Sequence, residues 1–148
     1  TLKFFGSVSP DDIAVISRVV EKNTPALAPP RLEVKKLGVF PSLKRPRVFW
    51  IGLEGDTSPL LILQKNLEQG FAECGFTRED RPFRPHLTVG RIKSPRCSED
   101  PEKFMAQRDN WEAGSFCADG LGLFQSDLTP RGAVYTRLAW FPFGCKEL

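Results

Sequence analysis

A chain of 148 residues fits one ordinary domain, long enough to bury roughly two-thirds of its unfolded surface and to hold a core without staples. Its 41% hydrophobic content, with 12 Phe and 3 Trp against 26% charged residues, excludes a disordered chain, and no apolar run approaches the ~20 residues of a membrane helix. The net charge of +3, from 21 basic and 18 acidic residues, is too mild for a protein that coats nucleic acid by charge alone.

Thr1-Leu2-Lys3-Phe4-Phe5-Gly6 alternates like a strand. A domain seldom opens on its first paired residue, so a preceding segment is expected. No secretory signal is visible, and the expected location is the cytoplasm, away from membranes. Ser9-Pro10-Asp11-Asp12 then supplies an N-cap, a proline in the first turn and two acids. With Ile13, Val15, Ile16, Val19 and Val20 at helical spacing behind them, a helix is predicted over 10–22. After a proline-marked connection over 24–30, Leu32 and Val34 alternate with Glu33 and Lys35, which predicts a short strand with one solvent face.

Leu37-Gly38-Val39-Phe40-Pro41 leads into a basic loop, Ser42-Leu43-Lys44-Arg45-Pro46, and the β-forming run Val48-Phe49-Trp50-Ile51-Gly52-Leu53 predicts a buried strand. Ser58-Pro59 repeats the cap-and-proline device. Leu60, Leu63, Leu67 and Phe71 then form one stripe suited to lie on a sheet, and Gly75 offers a left-handed stop. A strand from His86 to about Ile92, a turn-rich excursion over 94–100, a short helix over 101–108 and a strand at Ser115-Phe116-Cys117-Ala118 follow. Segments 121–126 and 134–141 read as a hairpin around 127–132, with Pro130 and Gly132 as turn residues, while the tail from Pro142 carries no signal. Strands in hairpin order mixed with helices, without a βαβ rhythm, predict an α+β fold with antiparallel sheets.

The chemistry gathers in Arg81-Pro82-Phe83-Arg84-Pro85-His86-Leu87-Thr88-Val89-Gly90-Arg91, which holds the only histidine of the chain. On an extended strand His86 and Thr88 share a face, while Leu87 and Val89 pack behind. Imidazole exchanges protons near neutral pH, a hydroxyl two residues on can hold the anion it works on, and nearby arginines suit a phosphate. Taken alone, a His-x-Thr triplet fits a hydrogen-bonded histidine on an ordinary strand better than a catalytic one. The basic residues form two clusters. Lys35, Lys36, Lys44, Arg45 and Arg47 read as a solvated face; Arg78, Arg81, Arg84, Arg91, Lys93 and Arg96 bracket His86. Cys74, Cys97, Cys117 and Cys145 form no Cys-x-x-Cys pair and, with one histidine, make a poor zinc set; they read as reduced packing thiols.

Thr1-Leu2-Lys3-Phe4-Phe5-Gly6 is similar to the end of a first His-x-Thr motif and its following strand, and Arg45-Pro46-Arg47-Val48-Phe49-Trp50 to a middle strand. The His86 stretch is similar to a second His-x-Thr motif, and Leu123-Phe124-Gln125-Ser126 through Gly132-Ala133-Val134-Tyr135 to a closing hairpin. In this order the four resemble the 2H phosphoesterase superfamily, most closely its bacterial and archaeal RNA 2′,3′-cyclic phosphodiesterase branch, also called 2′-5′ RNA ligase-like proteins. The resemblance implies one domain over 1–148, built of two pseudo-symmetric lobes of antiparallel sheet plus helices around a central cleft. It also implies a first lobe truncated at its N-terminus, because the first histidine of the family would sit two positions before Thr1.

The implied activity is hydrolysis of RNA 2′,3′-cyclic phosphate ends to 2′-phosphates, with reversible 2′-5′ ligation left open and no metal or cofactor required. By resemblance His86 is the proton acceptor and the first histidine the donor, roles that exchange if the reaction reverses. Thr1 and Thr88 would hydrogen-bond non-bridging phosphate oxygens. Arg91 would add charge, although strict alternation turns it away from His86 unless a bulge at Gly90 re-aims it. Arg84 and Arg131 are candidates for the RNA backbone, and Phe83, Tyr135 and Phe40 for stacking on a terminal base. The implied partner is an RNA or nucleotide bearing a 2′,3′-cyclic phosphate, met by a protein that is a monomer when full length. A different class fits a chain with one histidine: a module that binds RNA ends without turnover.

Overall fold

The computed structural model describes residues 1–92, 101–106 and 111–144. In chain order they form α1 (Pro10–Asn23), β1 (Arg31–Phe40), β2 (Val48–Gly55), α2 (Thr57–Glu73), β3 (His86–Arg91), α3 (Pro101–Ala106), β4 (Glu112–Cys117), β5 (Gly120–Thr129) and β6 (Gly132–Pro142). Both sheets are antiparallel, one ordered β3-β2-β1-β4 and the other a β5-β6 hairpin, so the α+β expectation holds. Chain contacts divide the molecule into two units. Thr1, Arg31–Thr57 and Pro82–Cys117 make the first; Leu2–Pro30, Ser58–Arg81 and the chain from Ala118 make the second. Among the described helices none is long and apolar enough to cross a membrane.

In the first unit β2 lies between β1 and β3, and cross-strand partners share a face. Register therefore sorts the sheet. One face carries Phe40, Val48, Trp50, Gly52, His86 and Thr88; the other carries Leu32, Val34, Phe49, Ile51 and Leu53. On the apolar face Leu32 is buried, and Phe104 of α3 stands edge-on to Phe49 with centroids 6.4 Å apart. Three bulges interrupt the ladders. Lys36, at φ 62°, is the extra residue of β1 against β2; Ala113 is that of β4 against β1; Val89 is that of β3 against β2.

The second unit begins with α1, entered through a capping box. Ser9 Oγ accepts from the Asp12 N–H at 3.2 Å, and the Asp12 carboxylate accepts from the Ser9 N–H at 2.8 Å. On α2 the stripe Leu60, Leu63, Leu67 and Phe71 is buried as its spacing predicts. Leu63, Leu67 and Phe71 form one cluster with Ile16, Val20, Leu27, Phe141 and Phe143, and Leu121, Leu123 and Ala139 of the hairpin pack against it, so the stripe does lie on a sheet. Gly75, at φ 92°, ends the helix by donating to the Ala72 carbonyl at 3.0 Å.

Several expectations are corrected. Residues 1–6 lie in no strand: Leu2 and Phe5, three apart, pack on the helix core, Phe4 is exposed, and Lys3 pairs with Glu68 at 2.9 Å. Alternation alone does not make a strand without a neighbour to pair with. β1 continues through Phe40 because β2 pairs with it over that whole length. β2 is central yet only Gly52 in it is buried, the other side chains being half-buried or exposed. α2 starts at Thr57, so Ser58 sits inside the first turn and is not its cap. Only Pro130 and Arg131 separate β5 from β6, a tighter hairpin than 127–132 suggests. Leu87 and Val89 do not pack behind His86; they are 42% and 63% exposed on an edge strand with one neighbour. Phe143, by contrast, brings the silent tail into the core. Cys74 and Cys117 are exposed free thiols and not packing groups. Cys97, Cys145, Lys93, Arg96 and the excursion over 94–100 lie outside the described residues.

Candidate active site

The site starts from a glycine. Gly38 of β1 stands opposite Trp50 of β2, and the indole of Trp50 lies across it so closely that a Cβ at position 38 would come within 1.9 Å of the ring. A glycine inside a strand marks such a close approach. The ring of Phe40, two residues on, lies 5.1 Å from that of Trp50, and both stand edge-on to the half-buried His86, at 5.2 Å and 6.2 Å between centroids. His86 opens β3 opposite Gly52, where no side chain competes for the space. The Trp50 Nε1–H is buried without a partner among the described residues.

A third contact on the imidazole fixes its chemistry. His86 Nδ1–H donates to the Arg84 carbonyl at 2.6 Å. A carbonyl only accepts, so Nδ1 carries the proton and the neutral ring keeps its lone pair on Nε2. Thr88 follows on the same face, about 7 Å along the strand, and is exposed. Val89 is then the extra residue of the β3 bulge, after which Gly90 pairs with Phe49 and Arg91 with Val48. Val48 and Trp50 share a face, so the bulge brings the exposed Arg91 round to the face of His86 and Thr88.

Arg84 serves the site through its carbonyl, and its side chain is exposed with no ion pair among the described residues. Thr1 is exposed, lies in no strand and groups with the first unit. Phe83 is half-buried in the approach to β3, whereas Arg131 and Tyr135 are exposed on the hairpin of the second unit. Phe40 spends its ring on Trp50 and His86. Toward the other end of the same face, Lys35 pairs with Glu33 and Glu54, and Lys36 pairs with Glu54. The hydrogen bond to Glu33 holds the Lys35 ammonium above its usual range, and that from Lys36 holds the Glu54 carboxyl below its own. Among the described residues no three His, Cys, Asp or Glu side chains gather as a metal would need. Reading the sequence for polar groups misses Trp50, Gly38 and the Arg84 carbonyl; Gly38 gave no signal because the predicted strand stopped short of it.

The sequence profile of the 2′-5′ RNA ligase superfamily matches residues 1–130, nearly the whole described chain. This chain belongs to that superfamily. Within it, the chain is 36% identical over 141 residues to the RNA 2′,3′-cyclic phosphodiesterase of Methanothermobacter thermautotrophicus, covering 95% of this chain and 76% of the relative. It is 34% identical over 139 residues to the Aeropyrum pernix protein of the same name, covering 93% and 77%. A crystal structure from Thermus thermophilus superposes with a TM-score of 0.81 at 26% identity, over 99% of this chain and 78% of that one. Escherichia coli LigT complexed with 3′-AMP does so at 0.71 and 23%, over 96% and 74%, which speaks for the fold. The expected 2H phosphoesterase fold is thus the fold of this superfamily member.

Proposed function

We propose that the chain hydrolyses the 2′,3′-cyclic phosphate ends of RNA, leaving 2′-phosphates. Its relatives from Methanothermobacter and Aeropyrum carry the name of that activity, and the observation that carries the mechanism is the Nδ1–H bond of His86 to the Arg84 carbonyl. With that nitrogen occupied, Nε2 is the proton acceptor. Water attacks the phosphorus, Nε2 takes a proton from the water, the P–O3′ bond breaks, and an acid on the opposite side protonates the departing O3′. The products are a 2′-phosphate and a free 3′-hydroxyl. By family resemblance the acid is the histidine of the first His-x-Thr motif, two positions ahead of the threonine that stands at Thr1. Thr88 donates its hydroxyl hydrogen to a non-bridging oxygen, and Arg91, on the same face farther along the strand, adds positive charge to the site. Thr1 would hold another oxygen, and with a 5′-hydroxyl in place of water as the nucleophile the same groups break the P–O3′ bond and make a 2′-5′ bond.

The test is hydrolysis of 2′,3′-cyclic AMP and of a short RNA with a cyclic end by the protein carrying whatever residues precede Thr1 in its gene. Turnover to 2′-phosphate, with His86→Ala slower by about 10²–10⁴-fold, is expected. His86→Ala at wild-type rate would sink the mechanism. Tight binding of the RNA end with no turnover would instead establish the binding module.

A further inference from the structure

The five basic residues over 35–47 behave as two sets. Lys35 and Lys36 are neutralised by Glu33 and Glu54. Lys44, Arg45 and Arg47 are exposed and have no ion pair among the described residues. Their backbone is tied down. The Arg45 N–H donates to the Ser42 carbonyl at 3.2 Å, the Arg47 N–H to the Phe40 carbonyl at 2.7 Å, and the Ile92 N–H to the Arg47 carbonyl at 2.9 Å. The last bond continues the ladder in which Val48 pairs with Arg91. These cations therefore stand beside the end of β3 marked by Arg91, while the neutralised network lies toward Glu54, beyond Gly52 and His86. From His86 to Arg91 the strand runs about 16 Å, more than one phosphate group spans. Exposed cations close together in the chain repel one another, and an external anion among them relieves that repulsion. Guanidinium groups match phosphate oxygens in geometry as well as charge.

We propose that Lys44, Arg45 and Arg47, continuing from Arg91, form a tract that holds backbone phosphates of single-stranded RNA on the 5′ side of the cyclic end at His86. The tract makes an oligonucleotide, and not a mononucleotide, the preferred substrate. It rests on the phosphodiesterase reading, and two substrates separate the two ideas. The triple variant Lys44→Ala, Arg45→Ala, Arg47→Ala is compared with wild type on 2′,3′-cyclic AMP and on an RNA of about ten nucleotides ending in a cyclic phosphate, from about 50 to 200 mM salt. Binding of the fluorescently labelled RNA is followed in parallel by anisotropy. The expected variant keeps wild-type kcat/KM on the mononucleotide, while its log–log salt slope for the oligonucleotide is shallower by roughly 2, about 0.7 per cation removed. An unchanged slope overturns the tract. So does equal loss on both substrates, which would make the loop structural. If wild type turns over neither substrate, the phosphodiesterase reading fails, and the anisotropy slopes still decide the tract.

Discussion

At His86 a carbonyl and two aromatic rings restrain the imidazole in different ways. The Arg84 carbonyl fixes which nitrogen holds the proton, a hydrogen bond worth about 1 kcal/mol net, and the edge-on rings of Phe40 and Trp50 resist tilting by about 0.5–1.5 kcal/mol each. Gly38 is what lets Trp50 lie where it does. In Gly38→Ala the new methyl meets the indole at 1.9 Å, so Trp50 must leave its place and His86 loses a wall. Misplacement of a reacting group by about 1 Å can cost about 10²-fold, so kcat should fall by roughly that much with little change in KM. His86 is the only histidine of the 148 residues, and its imidazole nitrogen resonances are identified by their loss in His86→Ala. The wild type should show the Nδ1–H tautomer and Gly38→Ala a mixture. Gly90→Ala, where a Cβ meets nothing within 4 Å, is the control and should leave both readouts in place. A folded Gly38→Ala protein with native tautomer and native kcat would remove Trp50 from the account.

Elements differ in how much of them the sequence carries. The stripe Leu60, Leu63, Leu67 and Phe71 was legible because a helix makes its own hydrogen bonds and its period of 3.6 follows from local geometry. Strand limits were not, because β1 reaches Phe40 only through its partner β2. The β3 bulge belongs to the ladder too: strict alternation turns Arg91 away from His86, and Gly90 only hinted at the extra residue that brings it back. The Ser9 cap of α1, a local feature, was legible, and the reciprocal bond from the Ser9 N–H to Asp12 gives a signed prediction. The Ser9 backbone N–H and hydroxyl hold the Asp12 carboxyl below its usual range. A group with a depressed folded pKa stabilises the fold above its unfolded value of about 3.9, and that contribution is lost as pH falls through the lower folded value. The stability gap between wild type and Asp12→Asn, read by urea unfolding, should therefore be present at neutral pH and close in acid. Ser9→Ala should cost about 1 kcal/mol at neutral pH. A gap that widens in acid would contradict the capping box.

For the molecule as a whole, the hardest thing to read from sequence was which apolar residues make the core. Each unit has its own apolar packing, the sheet with α3 in the first and the cluster of α1, α2 and hairpin residues in the second. Hydrophobicity ranks Leu128 and Phe143 alike, and the patternless tail gave no reason to bury the second. The structure separates them: Leu128 is 89% exposed on β5, whereas Phe143 is 5% exposed among Ile16, Leu63, Leu67 and Phe71, with its N–H bonded to the Asp119 carbonyl at 2.8 Å. Burial of that kind depends on segments distant in sequence closing over one ring, which no local pattern encodes. Truncating a buried phenylalanine removes its transfer free energy and leaves a cavity, so Phe143→Ala should lose about 3–5 kcal/mol of unfolding free energy, seen as a lower urea midpoint. Leu128→Ala should stay within about 0.5 kcal/mol of wild type. If the two cost the same, the tail is not part of the core, and the cluster that supports the second unit must be drawn without it.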